Sequence, residues 1–368
     1  MPRASSNSGS KIAMDGLTFD DVLLLPSRAD FPREKVELTT VLHPTIVLRL
    51  PILSAPMDTV TEAAMAIALA EQGGLGVIHR NLQVKAQAAM VRQVKTRGLQ
   101  VGAAVGAGAD LEERVQALVE AKADLLVVDS GHGHSAFVAD AVRLIRKKHG
   151  KNVVIMAGNI ATYEGALYLI KAGADILRVG MGPGSICTTR IITGMGVPQL
   201  SALLEVARAC KGKKVTFVAD GGIRQMGDIA KALATGASAV MLGSMFAGFE
   251  QSPGETLRKD GKTFKQYRGM GSIGAMQKGG AERYGQSMKT EARKLIAEGV
   301  EGLLPYRGEV EDFLFQAAGS LRSSFYYLGS KDLPTFHRTS RFVRITSASL
   351  QESHPHTVRV QEAGGNYL

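Results

Sequence analysis

The sequence predicts an α/β protein built as a closed (β/α)₈ TIM barrel with a long insertion after its eighth strand. Three observations carry that prediction: eight short apolar runs recur along the chain, amphipathic helical patterns separate them, and polar or glycine residues follow most of the strands. Strands that are apolar on both faces belong in a parallel sheet covered by helices, and eight such units in succession close into a barrel.

The elements follow in order. Residues 1–14 are rich in Ser, Gly and Asn without an apolar core and read as a disordered lead-in; 15–368 read as one domain. An apolar stretch at 17–25 is closed by Pro26, and 30–50 read as irregular or hairpin structure. Strands are expected at 52–54, 75–78, 101–105, 125–128, 153–156, 176–179, 215–219 and 239–242. The helical patterns fall at 61–72, 83–95, 111–122, 135–149, 163–172, 199–210, 225–235 and, after a delay, 310–326. The delay is an insertion at about 249–306 with little apolar periodicity, which reads as a binding flap or as a surface loop.

Composition narrows the class. With 368 residues, 45% hydrophobic and 21% charged, the chain has enough apolar material for a large core, and no apolar run is long enough to span a bilayer. Two cysteines, Cys187 and Cys210, supply neither a disulfide framework nor metal-ligand spacing, so a reducing, cytoplasmic setting is expected. The net charge of +10 permits nucleic-acid binding, but the basic residues are scattered and tryptophan is absent, so the charge reads as a solvated surface.

In a barrel of this kind the residues just after each strand share one site. Here they are Ser54 with Met57 and Asp58, Asp129 and Ser130, Gly158 and Asn159, Asp220 to Gly222, and Gly243 and Ser244. After the sixth strand comes a loop, 180–196, too glycine-rich to be read as helix, holding Cys187 among Gly180, Gly182, Gly184, Ser185, Thr188 and Thr189. Cys187 reads either as a buried, inert thiol or as a nucleophile in a built site. Gly222, Gly243 and Ser244 suggest a phosphate cradle, since the loops after strands seven and eight commonly form one, and Asp220 suits a ribose diol; a plain tight turn is the alternative for Asp-Gly-Gly.

Several longer motifs occur in order: Leu-Thr-Phe-Asp-Asp-Val at 17–22, Ser-Ala-Pro-Met-Asp-Thr-Val at 54–60, Asp-Ser-Gly-His-Gly-His-Ser at 129–135, the cysteine loop, Asp-Gly-Gly-Ile-Arg at 220–224, Tyr-Arg-Gly-Met-Gly-Ser at 267–272, Arg283-Tyr284, and Glu-Ser-His-Pro-His at 352–356. On these the chain resembles the IMP dehydrogenase / GMP reductase family from about Leu17 to the C-terminus.

The resemblance implies a catalytic domain that oxidises IMP to XMP with NAD⁺ in guanine nucleotide biosynthesis. Cys187 would attack C2 of the purine, leaving a covalent thioimidate after hydride loss, and the flap would then close for hydrolysis. By the same resemblance Arg283 is the water-activating base with Tyr284 beside it, Thr189 contacts the water, and Glu298 offers a second proton route. Ser185, Asp220, Gly222, Gly243, Ser244, Tyr267, Gly269 and Gly271 match IMP-binding positions; Asp129, Ser130, Asn159, Arg178 and Gly180 match the dinucleotide side. Carbonyls of Gly182, Gly184 and Cys187 match a monovalent-cation (K⁺) site completed by Glu352, Ser353 and His354 of a neighbouring subunit, which implies a homotetramer with the tail, about 342–368, at its interface.

Three departures stand out. A regulatory module resembling a cystathionine-β-synthase pair is expected between the second helix and third strand, where 95–101 connect directly; Gly285 follows Arg283-Tyr284 in place of an aromatic; and Leu303 replaces a basic residue. The rival readings are an NADPH-dependent GMP reductase, a flavin-dependent barrel oxidoreductase and a non-catalytic nucleotide or nucleic-acid binder.

Overall fold

The computed structural model describes residues 11–287, 290–361 and 364. Residues 1–10 of the expected lead-in and 362, 363 and 365–368 of the tail lie outside the described residues; residues 11–14 are exposed and belong to no helix or strand.

Eight parallel strands close on themselves: β1 (Ile52–Ser54), β2 (Leu75–Ile78), β3 (Gly102–Val105), β4 (Leu125–Asp129), β5 (Val154–Ile160), β6 (Ile176–Val179), β7 (Thr216–Asp220) and β8 (Ala239–Leu242). The seam is β8 against β1, in register through Val240–Ile52 and Leu242–Ser54. Between and after them run α1 (Ala63–Glu71), α2 (Val84–Lys95), α3 (Leu111–Glu120), α4 (Ala136–His149), α5 (Tyr163–Ala172), α6 (Gln199–Cys210), α7 (Met226–Ala234) and α8 (Val310–Tyr327). Strand residues alternate between two cores: Leu125 and Val127 fill the interior, whereas Leu126 and Val128 pack outward under the helices. Both sets are buried, which is why the strands read as unbroken apolar runs.

One end of the barrel is plugged. The antiparallel hairpin Thr40–His43 and Ile46–Leu48 puts Leu42, Ile46 and Leu48 into the interior core, while Thr216 Oγ1 donates to Leu42 O at 2.6 Å and Thr40 Oγ1 to Ser238 O at 2.7 Å. Thr216 opens β7 and Ser238 precedes β8, so the plug sits at the N-terminal end and leaves the C-terminal end for chemistry. At the plugged end α2 passes directly to β3: Gly98 takes φ +71° and its N–H caps Lys95 O at 2.9 Å, and Asp124 accepts both Lys95 Nζ and Val101 N at 2.8 Å.

Three expectations change. Within 180–196, Thr189–Thr193 form one helical segment, because this stretch holds no glycine and the helix stops at Gly194 with φ +73°. Asn159 lies inside β5, not after it. The insertion has its own three-stranded antiparallel sheet, Thr256–Lys259, Lys262–Arg268 and Glu301–Pro305, whose largely exposed outer strands carry no apolar alternation to read. In the tail, Phe342–Arg344 pair with Val22–Leu24 before the short helix Ser347–Glu352.

Helix α8 follows the insertion and completes the outer layer, burying Val310, Phe313, Leu314, Ala317, Leu321 and Phe325 at helical spacing. Phe325 stacks on Phe336 of helix Leu333–Thr339 with centroids 4.1 Å apart and planes 8° from parallel. Phe325→Ala should lower stability by about 3–5 kcal/mol, read as a lower denaturation midpoint; an unchanged midpoint would show that this stack contributes nothing to closing the helical layer.

Candidate functional site

The cysteine loop leaves β6 at Gly180, whose φ of +150° and packing against Asp220 O (2.0 Å from where a Cβ would stand) admit no side chain. Cys187 is a half-buried free thiol. Its Sγ donates to Thr189 Oγ1 at 3.2 Å, and Thr189 Oγ1 donates to Glu298 Oε2 at 2.8 Å. The loop is stapled to the insertion by backbone: Thr188 N donates to Glu298 O at 3.0 Å and Val300 N to Ile186 O at 3.1 Å, with Cys187 bridged to Gly299. Thiol, hydroxyl and carboxylate therefore form one hydrogen-bonded line, held between a barrel loop and a segment more than a hundred residues away in sequence.

Beside that line lies a buried charge network built on strand ends. Arg178 of β6 donates Nη1 to Asp129 Oδ1 (2.6 Å), at the end of β4, and Nε to Asp220 Oδ2 (2.9 Å), at the end of β7. Asn159 Nδ2 donates to the same Asp220 oxygen at 2.7 Å, and Gln199 Nε2 ties Val179 O (2.9 Å) to Asp220 O (3.0 Å). Arg283, from the insertion, also pairs with Asp129 Oδ1, and its carbonyl accepts from Gly131 N at 3.0 Å. Burial lowers the Arg283 pKa, and the nearby charge of Arg80 pushes the same way while Tyr284 pushes back; burial raises Tyr284, with Arg283 opposing. Arg283 Nε and Asn159 Oδ1 are buried without a protein partner.

At the far end of the site, Tyr267 hydrogen-bonds Ser185, and burial raises its phenol pKa. Gly243 keeps the floor open: a Cβ there would stand 3.2 Å from both Met57 Sδ and Tyr267 Oη.

A cavity of about 140 Å³ gathers these groups. Cys187, Thr189, Arg283, Tyr284 and Glu298 line it, as do Ser185, Asp220, Gly222, Gly243, Ser244, Tyr267 and Gly269, then Asn159, Arg178 and Gly180, and Gly182 and Gly184 of the loop. Gly271 lies beneath the Tyr284 ring, where a Cβ would come within 2.8 Å of Tyr284 Cζ. Asp129 and Ser130 line a second cavity of about 890 Å³, and both cavities share Thr189, Arg283, Tyr284 and Glu298 as lining residues.

The tail residues are not brought here within one chain. Glu352, Ser353 and His354 are exposed at and just after the end of the Ser347–Glu352 helix, Ser353 Oγ donating to Ser349 O at 2.9 Å, and none lines either cavity. Among the described residues no group of three His, Cys, Asp or Glu could hold a metal ion. The carbonyls at 182, 184 and 187 are hard oxygen donors of the kind a monovalent cation takes, and Gly184 O, which accepts Cys187 N at 3.1 Å, keeps a lone pair for one.

One departure acquires a reason and the other a place in the fold. Gly285 has φ +68° at the end of the Gly280–Tyr284 turn, where a side chain would be strained. Leu303 pairs with Gln266 in the insertion sheet and is 42% exposed. The sequence reading missed Arg80, which lines the second cavity with Nε 4.0 Å from Asp129 Oδ2, although His79-Arg80-Asn81 directly after β2 is the same strand-end signal used elsewhere. It also missed Arg268, which grips Asp58 at 3.0 and 2.6 Å and clamps the insertion to the loop after β1.

Known proteins place these observations. Residues 16–356 match the family described as IMP dehydrogenase / GMP reductase domain. The inosine-5'-monophosphate dehydrogenase of Borreliella burgdorferi is 43% identical over 399 aligned residues, covering 95% of this chain and 98% of that protein. Those of Bacillus subtilis and Aquifex aeolicus are 37% and 38% identical over 486 and 482 residues, with 97% and 96% of this chain and 99% and 98% of theirs covered. These two alignments run well beyond the 368 residues of this chain, so both relatives carry a long segment with no counterpart here.

Replacing Arg178 by Gln should cost about 3–5 kcal/mol, because it removes the buried cation that Asp129 and Asp220 share. Chemical denaturation measures this, and a cost below about 1 kcal/mol would mean the network does not hold the strand ends.

Proposed function

The chain belongs to the IMP dehydrogenase / GMP reductase family, and on that premise we propose that it oxidises IMP to XMP with NAD⁺, for guanine nucleotide biosynthesis. The observation that carries the reading is the line Cys187–Thr189–Glu298 facing the same cavity as Arg283 and Tyr284. IMP would lie with its phosphate on Gly222, Gly243 and Ser244, its base reaching Cys187, with Tyr267 and Ser185 beside it. The Cys187 thiol loses its proton, along Thr189 towards Glu298, and the thiolate attacks C2 of the purine. NAD⁺ supplies the acceptor for the hydride that leaves C2, and its binding is assigned to the second cavity through Asp129 and Ser130, with Asn159, Arg178 and Gly180 at the junction. What remains on Cys187 is a thioimidate.

Water must then attack the same carbon. Arg283 and Tyr284 stand on the wall common to both cavities, and Arg283 is held by Asp129, a residue of the dinucleotide side. The insertion therefore acts as a flap that occupies the nicotinamide position once the reduced dinucleotide has gone. Burial and the nearby charge of Arg80 push the pKa of Arg283 down, towards the neutral form a base requires, while Tyr284 and the ion pair with Asp129 oppose them. C2 gains the water oxygen, the carbon–sulfur bond breaks, and XMP leaves.

A monovalent cation, expected to be K⁺, would sit on the carbonyls of Gly182, Gly184 and Cys187 and steady the loop. Glu352, Ser353 and His354 of a neighbouring subunit would complete that site, which makes the tail an interface element of a homotetramer. The link from α2 to β3, where the family's regulatory module is expected, is short, so control through a module there is not expected.

The deciding experiment follows NADH absorbance with IMP and NAD⁺, with and without potassium. Growth dependent on IMP and enhanced by potassium supports the reading; turnover only of GMP with NADPH replaces it by the reductase. Cys187→Ala should abolish turnover, by at least about 10⁴-fold, with IMP binding largely kept; retained turnover would remove the thiolate from the mechanism. Arg283→Ala should keep a first-turnover burst of NADH while steady-state turnover falls about 10²–10⁴-fold, and a lost burst would assign Arg283 to an earlier step.

A further inference from the structure

The wall shared by the two cavities concentrates positive charge on one carboxylate. Asp129 Oδ1 accepts from Arg178 at 2.6 Å and from Arg283, while Arg80 Nε stands 4.0 Å from Oδ2. All are nearly buried: the side chains are 2% exposed for Asp129, 3% for Arg178, 10% for Arg80 and 11% for Arg283. Arg178 has Asp220 as a second acid, but Asp129 is the only carboxylate in ion-pair contact with Arg283 among the described residues. Arg80 lies close over Gly106, where a Cβ would stand 3.0 Å from Nη1, and the charges of Asp110 and Glu282 act on it.

We propose that Arg80 is a positioning residue for the water-attack step, acting through Asp129: by facing Oδ2 it leaves Arg283 only the Oδ1 side of the carboxylate, already shared with Arg178. The proposal rests on the reading of Arg283 as the base. Around Arg283 stand Asp129 from β4, Arg80 from the loop after β2, Arg178 from β6, and Glu282 and Tyr284 of its own segment, with Glu298 on the shared wall. Without the charge of Arg80, Oδ2 of Asp129 becomes available to Arg283, Glu282 loses a neighbouring cation, and a repulsion between like charges disappears. All three changes hold Arg283 as a cation, which cannot take a proton from water. Burial lowers the pKa of Arg80 as well, and Asp110 and Glu282 oppose that effect.

The test uses the full chain and separates its two chemical steps. Hydride transfer and hydrolysis of the covalent intermediate are followed in single turnovers as a function of pH, for the parent protein, Arg80→Gln and Arg80→Lys. In Arg80→Gln the rise of the hydrolysis rate with pH should move upward by about one unit. On the acid side of that rise the ratio of the hydride-transfer rate to the hydrolysis rate should then grow about tenfold, and Arg80→Lys should restore most of it. If Arg80→Gln does not fold, Arg80→Met removes the same charge with an apolar chain and is read the same way. An unmoved profile, or an equal fall in both steps without a shift, overturns the proposal and makes Arg80 scaffold. Arg283→Ala is the control: its pH rise should vanish, and a rise that persists sinks the base reading itself, and with it the role given to Arg80.

Discussion

The open end of this barrel depends on one buried guanidinium. Arg178 joins Asp129 and Asp220, the last residues of β4 and β7, while Asn159 of β5 completes Asp220. A charge taken from water at a site 3% exposed costs several kcal/mol unless it is paired, and here two carboxylates pair with it, one of them also accepting from Asn159. The strand ends so joined are those from which the loops at 130–134, 180–196 and 221–224 depart, so the chemistry starts from fixed points.

The insertion is as much a part of the site as the barrel. It is fastened by Arg268 on Asp58 and by backbone bonds to the cysteine loop, and it contributes Tyr267, Gly269, Arg283, Tyr284 and Glu298. On the proposed function the division of labour is spatial: barrel loops would supply nucleophile and phosphate cradle, and the insertion the groups that act on water. Because Arg283 reaches across to Asp129, the insertion is seated on a carboxylate that lines the second cavity.

Most strands and helices were legible because period and burial agree. Strands buried on both faces leave continuous apolar runs, as at Leu125–Val128, and amphipathic helices leave a 3.6-residue stripe, as in α8. The insertion sheet was not legible, since strands such as Thr256–Lys259 are held by backbone pairing with side chains in solvent. Helix Thr189–Thr193 was hidden inside a glycine-rich average, and Arg80 was overlooked although its place after β2 marked it.

By itself the sequence determined the barrel, the order of its elements and most of the residues that stand at strand ends, Asn159 excepted, because these depend on local periodicity and on the rule that loops follow strands. It also marked Cys187, Arg283 and Glu298 through their motifs. Only the tertiary structure decided that Glu298 lies 2.8 Å from Thr189, that Arg283 rests on Asp129, and that one wall separates two cavities. Those facts join residues more than a hundred positions apart, through hydrogen bonds and charges whose partners leave no periodic trace in the chain.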